Sequence, residues 1–234
     1  MYYLSPTKFV ELTEEYNCQG TSFSFNEPTL FFEYAVDVFK LALKRNLYNT
    51  YVSNGYMTKE ALKILAESGL HAINFDIKGN EEVVRKYCNA DVKYVWRNIK
   101  LAYELNLHVE VINLIIPGIN DEERIISGII KRLLKISDEI PLHFTRFFPA
   151  YKMLDLPPTP IETLEKAYRM AKEAGVKYVY IGNVPGHRYE NTYCPNCDYL
   201  LIKRYCFSIM EYRVRDGKCP KCGEKILIVG KHIG

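Results

Sequence analysis

Six short apolar runs of strand character recur between Thr21 and Ile181, each preceded by a longer run of helical character, and this alternation limits the fold more than any other feature. Periodicity and stop signals predict strands over 21–25, 48–53, 71–77, 108–116, 142–147 and 177–181. Helices are predicted over about 6–16, 29–45, 58–68, 92–106, 121–137 and 161–174. Ser5 and Thr58 are expected N-caps, Pro6 suits the first helical position, Asp121 is expected in a first turn, and Gly175 is an expected C-cap. Strictly alternating helices and strands imply an α/β fold with parallel strands and helices packed outside. Right-handed crossovers then curl the sheet into a full or partial parallel (β/α) barrel.

Such sheets place their chemistry at the C-terminal ends of the strands. Polar residues gather there: Asn26-Glu27-Pro28, Ser53-Asn54-Gly55, Asp76-Ile77-Lys78, the Pro-Gly-Ile-Asn-Asp run 117–121, the loop with Tyr151 and Lys152, and the Asn-Val-Pro-Gly-His run 183–187. Two readings fit Glu27: it holds an amine or hydroxyl of a ligand, or it caps a turn. Asp76 and Lys78 share a face by the two-residue period of a strand. They form an ion pair or together hold a zwitterion such as an amino acid. Ser53-Asn54-Gly55 reads as a tight turn, with a ligand role open to it. His143 and His187 are read as a strand residue and a loop residue, with a proton-donor or metal role open to the latter.

The predicted order starts with a helix, whereas a parallel barrel normally starts with a strand. The strand at 21–25 is then an exposed apolar edge, which natural sheets avoid. The expectation is that a strand and its loop are missing from this chain or come from another one.

Near the other end, Cys194-Pro-Asn-Cys197 and Cys219-Pro-Lys-Cys222 form C-x2-C-x21-C-x2-C. Each pair makes a tight turn that aims two thiolates at one point, and two such turns complete a tetrahedral site. The intervening segment reads as two or three short strands with a turn at Asp216-Gly217. The reading is a structural zinc ribbon, with mononuclear iron as the alternative metal. It divides the chain into a partial barrel over 1–189 and a ribbon over 190–234. The three other cysteines, Cys18, Cys88 and Cys206, are dispersed. Seven cysteines, an odd number, without a secretion signal argue against a disulfide framework.

The formal net charge is only +3 and the basic residues are scattered, so a nucleic-acid groove is not expected. Most of the nineteen tyrosines fall in strand or helix patterns, as packing residues do. No apolar run reaches the roughly 18 residues of a membrane span, and the first residues lack a signal-peptide pattern. A cytoplasmic, membrane-free protein is expected.

Taken in order, SFSFNEPTLFFEYAVD, YVSNGYMTKEAL, INFDIKG, LIIPGIND, HFTRFFPAYKM, PPTPIETLEKA, YVYIGNVPGH and ENTYCPNC resemble the AmmeMemoRadiSam-system radical S-adenosylmethionine (SAM) enzymes, themselves similar to pyruvate formate-lyase activating enzymes. The likeness spans nearly the whole chain. It implies a partial barrel that binds SAM near a [4Fe-4S] cluster. An electron from that cluster cleaves SAM to methionine and a 5′-deoxyadenosyl radical, which abstracts hydrogen from a substrate. By this resemblance Asn26 and Glu27 stand where the family contacts the SAM amino group. Asp76 and Lys78 match a D-x-K that touches the methionyl part, and Ser53 and Asn54 line the same site. Implied partners are a protein substrate or AmmeMemoRadiSam-system proteins, and a low-potential electron donor.

The sequence departs from the family in one respect. The cluster motif, C-x3-C-x2-C, does not occur, and Cys18, Cys88 and Cys206 do not imitate it. The expectation is a chain lacking the N-terminal part that carries that motif, whether shortened or completed by a separate polypeptide. The alternative is a cluster-free protein that binds SAM, another nucleotide or a partner.

Overall fold

A computed structural model of the chain describes residues 3–228. Its elements run α1 (Pro6–Glu15), β1 (Gly20–Phe23), α2 (Phe32–Lys44), β2 (Tyr48–Ser53), α3 (Lys59–Glu67), β3 (Ala72–Asp76), α4 (Glu81–Cys88), α5 (Val92–Glu104), β4 (His108–Ile115), α6 (Glu123–Leu134), β5 (Leu142–Arg146), α7 (Ile161–Glu173), β6 (Val179–Gly182), β7 (Thr192–Tyr193), β8 (Leu200–Tyr205) and β9 (Ser208–Tyr212). Six strands form one sheet in the order β1-β2-β3-β4-β5-β6, and β7-β8-β9 form a second. The pairs β1–β2, β2–β3, β4–β5 and β5–β6 are parallel. This is the α/β architecture that the alternation predicts, with the four cysteines at its C-terminal end. No helix among the described residues is long and apolar enough to cross a membrane.

The local reasons are those of the sequence. Ser5 Oγ accepts from Lys8 N at 3.2 Å, with Pro6 at the start of α1, and Thr58 Oγ1 accepts from Ala61 N at 3.1 Å to open α3. Each such cap is worth about 1 kcal/mol. Gly175, at φ +104°, takes the left-handed position just after α7.

Four details differ from expectation. Phe25 lies beyond β1 and is 90 % exposed, because pairing with β2 stops at Phe23↔Tyr51 and Asn26, at φ +54°, turns the chain. A 3-10 turn, Pro28–Phe31, precedes α2 and takes over its first residues. α4 is an additional helix of eight residues, capped by Asn80 Oδ1 on Val83 N at 3.0 Å and closed by Asn89 at φ +49°. Asp121 lies outside α6: its Oδ1 accepts from Gly118 N at 2.9 Å and closes the preceding loop, so the helix starts only at Glu123.

The chain divides into two compact units, one of residues up to Asp76 with Asp91–Glu110, the other of Ile77–Ala90 with the rest from Val111. In the first, Phe39, Tyr51, Leu62, Leu65, Ile73, Phe75 and Ile99 are fully buried. Phe9, Phe23, Tyr34, Phe39 and Tyr51 form one aromatic cluster at ring separations of 5.5–6.3 Å. In the second unit, Ile77, Ile115, Ile130, Leu133 and Phe144 form the core. Burial of each such side chain stabilises by roughly 1.5–3 kcal/mol.

The outer strand β6 is sheltered by the segment on its C-terminal side. Tyr180 Oη lies 3.1 Å from Thr192 Oγ1 of β7, and Tyr189 stacks on Tyr168 of α7 with centroids 3.6 Å apart. Covering an edge in this way is a common solution to unpaired backbone groups.

Candidate functional site

In the first unit, Glu27 ties the ends of two strands together. Its Oε1 accepts from Thr29 N at 3.1 Å, Thr29 Oγ1 at 2.6 Å and Ser53 Oγ at 2.7 Å, and its Oε2 accepts from Asn54 N at 2.8 Å. Glu27 therefore caps the Pro28–Phe31 turn, and it also binds the loop after β2. An ionised carboxylate offers about four acceptor positions, two per oxygen. Three donors crowd Oε1 and one reaches Oε2, so the remaining capacity lies on Oε2. Such a carboxylate suits a cation that arrives from outside, such as an ammonium group.

Ser53 is buried, and its hydroxyl donates to Glu27 and accepts from Gly55 N at 2.9 Å. Asn54 is exposed, and its Oδ1 accepts from Tyr56 N at 2.7 Å, which makes the tight turn expected there. Gly55 has φ +72°, and a Cβ on it would stand 2.6 Å from Phe75 Cδ1, so only glycine fits. Burial, followed by the charge of Glu27, raises the Tyr51 phenol well above its usual value, and that hydroxyl reaches Pro28 O at 3.4 Å.

Sequence patterns do not single out Asn98 of α5. It is fully buried, and its Nδ2 donates to Gly55 O at 2.8 Å and Met57 O at 2.9 Å, while Arg97 Nε donates to its Oδ1 at 3.1 Å. A helix remote in sequence thus pins the 53–57 turn. Asn26 is exposed and left-handed, the geometry of a turn. At the end of β3, Asp76 is half-buried, and two residues before it Asn74 buries both polar atoms of its amide without a hydrogen-bond partner. A buried, unsatisfied amide costs about 1–3 kcal/mol, and a polar ligand group is one way to satisfy it.

In the second unit, Ile77 N continues the extended run by donating to Ile112 O at 2.8 Å, and Lys78 comes next, half-buried. Ile77 itself is buried. The Lys78 backbone is held by Asn120, whose Nδ2 donates to Lys78 O and Leu114 O, both at 2.8 Å, while its Oδ1 accepts from Ile116 N at 2.6 Å. His187 is a cap: its Nδ1 accepts from Tyr189 N at 3.2 Å and its Nε2 lies 3.3 Å from Glu165 Oε1. His143 stacks on Tyr180 with centroids 4.8 Å apart.

The four tail cysteines converge. Cys194 Sγ and Cys222 Sγ are 3.5 Å apart, Cys197 Sγ and Cys219 Sγ 3.7 Å, and all four lie within 4.8 Å of one another. Zn–S bonds of about 2.3 Å in a tetrahedron put sulfurs about 3.8 Å apart, so the set fits one metal ion with no open position. Cys194, Leu201, Ile202, Val214, Cys219 and Ile226 form a small core around it. Burial pushes the Cys194 thiol up to about 12, whereas the backbone N–H of Glu224 lowers Cys222 to about 7. β7, β8, β9 and the Asp216-Gly217 turn, with φ +48° and +69°, supply the frame. Among the described residues this is the single metal-competent group. Cys18, Cys88 and Cys206 are exposed and belong to no such group, so these residues do not fit a cluster.

Residues 1–127 match the Radical SAM superfamily, and the chain belongs to that family. An uncharacterized protein of Methanocaldococcus jannaschii is 47 % identical over 229 residues, 97 % of this chain and 68 % of that one. Among solved structures, a domain of pyruvate-formate lyase-activating enzyme from Bacteroides vulgatus superposes with a TM-score of 0.60 at 17 % identity, covering 70 % of this chain and 99 % of that one. SuiB of Streptococcus suis bound to S-adenosylmethionine gives a TM-score of 0.64 at 9 % identity, covering 78 % of this chain and 44 % of that one. At these identities the likeness is one of fold.

Proposed function

We propose that this chain binds SAM at the strand ends carrying Glu27, and that it serves a radical SAM reaction of activating-enzyme type within the AmmeMemoRadiSam group. The observation that carries the reading is the Glu27 carboxylate, which joins the ends of β1 and β2 and keeps acceptor capacity on Oε2, in a chain of the Radical SAM superfamily. Glu27 accepts the amino group of SAM. Ser53 and Asn54 hold the carboxylate in place, and Asn26 turns the chain so that it faces outward. Asp76 and Lys78 bind the methionyl part, and the Asn74 amide offers a buried polar contact. Bound SAM would supply, after one-electron reduction by a low-potential donor, the carbon radical that takes hydrogen from a substrate. The four tail thiolates hold zinc as a structural ion.

Equilibrium binding of SAM to the purified chain tests the reading. The expected result is saturable binding that weakens at least about tenfold in Glu27→Ala, a loss of about 1.4 kcal/mol or more. A folded Glu27→Ala protein that binds SAM as the parent does, or a parent with no binding, would sink it.

A further inference from the structure

The small sheet ends on β9, and among the described residues no strand pairs with its outer edge. Edge strands are commonly blunted by Lys or Pro, by other charges or by bulges. β9 reads Ser-Ile-Met-Glu-Tyr, has neither Lys nor Pro, and has one charge, Glu211, held in ion pairs with Lys203 and Arg213. Ile209 and Met210 are exposed by 44 % and 59 %, Met210 being the extra residue of a bulge opposite Lys203 and Arg204, and Phe207 at the hairpin tip is fully exposed. This is an unpaired edge with exposed apolar side chains.

A second feature adjoins it. At Tyr212 the strand runs into a groove of about 260 Å³ lined by Tyr199, Tyr212, Arg213, Val214, Arg215 and Pro220. Arg213 is paired with Glu211 and stands over the Tyr199 ring at 5.8 Å. Arg215 is exposed, and its side chain forms no ion pair among the described residues. The groove therefore offers aromatic walls and one uncompensated guanidinium at the end of an open strand edge.

We infer that β9 and this groove form one docking site for an extended, acidic segment of a partner protein. The segment adds a strand to β9 through backbone hydrogen bonds, packs apolar side chains on Ile209 and Met210, and places a carboxylate on Arg215. The strand edge decides the class of ligand: alternating N–H and C=O groups pair with a peptide backbone, not with a phosphate chain. The charge of Arg215 decides its sign. This site shares no residue with the SAM site and its test needs no SAM.

The test is fluorescence anisotropy of the full chain with labelled peptides. TVTVTEE is expected to bind at least about tenfold more tightly than TVTVTKK or the proline-interrupted TVPVTEE, and Arg215→Glu to weaken TVTVTEE about fivefold or more with an unchanged circular dichroism spectrum. Bound peptide is expected to slow amide exchange in β9. Equal binding of the proline peptide, no saturation, tighter binding of an eight-nucleotide oligothymidylate, or a β9-mediated dimer of the chain that excludes peptide would each overturn the proposal.

Discussion

The Ser53 hydroxyl donates to Glu27 Oε1 at 2.7 Å while accepting from Gly55 N at 2.9 Å, so one buried oxygen links the end of β1 to the turn after β2. Ser53→Ala leaves Gly55 N without its acceptor and removes one of the three donors to Glu27 Oε1. The expected cost is about 1–3 kcal/mol in urea unfolding, with SAM affinity reduced several-fold because the carboxylate is less constrained. Unchanged stability and affinity would show that the link is incidental.

Asn98 holds the same turn from α5 by two side-chain hydrogen bonds to Gly55 O and Met57 O. Asn98→Leu removes both, while Gly55 O keeps its bond from Met57 N and Met57 O keeps its bond from Arg97 Nη2, at an expected cost of about 1–3 kcal/mol. Amide exchange over residues 54–57 is expected to accelerate more than exchange in α2, which makes no hydrogen bond to Asn98.

Gly55→Ala places a methyl group 2.6 Å from Phe75 Cδ1 at φ +72°. Overpacking and a left-handed alanine together predict a loss of about 2–4 kcal/mol. The melting temperature, compared with that of Gly217→Ala, where nothing lies within 4 Å of the new Cβ, separates steric clash from backbone strain.

The four thiolates predict one zinc per chain by elemental analysis, lost in Cys194→Ser or Cys219→Ser and on chelation. Zinc binding requires thiolates. With Cys194 pushed up to about 12 by burial, its proton must leave at any pH below that. Zinc uptake near pH 7 is therefore expected to release at least one proton, and affinity to rise with pH between 6 and 8. Calorimetry in two buffers of different ionisation enthalpy measures the proton count.

Reconstitution of this 234-residue chain alone with iron and sulfide is expected to give no 5′-deoxyadenosine, because no C-x3-C-x2-C occurs in it. Detection of that product together with a reducible [4Fe-4S] signal would refute this expectation and place the cluster on other residues.

Periodicity alone locates all six parallel strands, and it does so because burial on one face repeats every two residues in β4, Val109 to Ile115, and every three or four in α6. It misses α4, whose eight residues span barely two turns and bury only Val83 and Val84. The Cys pairs are legible because the thiolate turn is a local motif. Glu27 is legible as a polar residue at a strand end, but its partners are not: Ser53 is 26 residues away, and nothing local signals the pairing.

The alternation of elements, the caps at Ser5 and Thr58 and the four-thiolate group are all written in the order of residues, since each depends on neighbours within a few residues or on a strict repeat. Folding in three dimensions alone sets Glu27 across two strand ends, fastens the turns beside Gly55 and Lys78 through Asn98 and Asn120, and leaves β9 unpaired on its outer side. Those arrangements depend on which distant backbone groups meet, and hydrogen-bond partners separated by 26 to 43 residues leave no period in the chain.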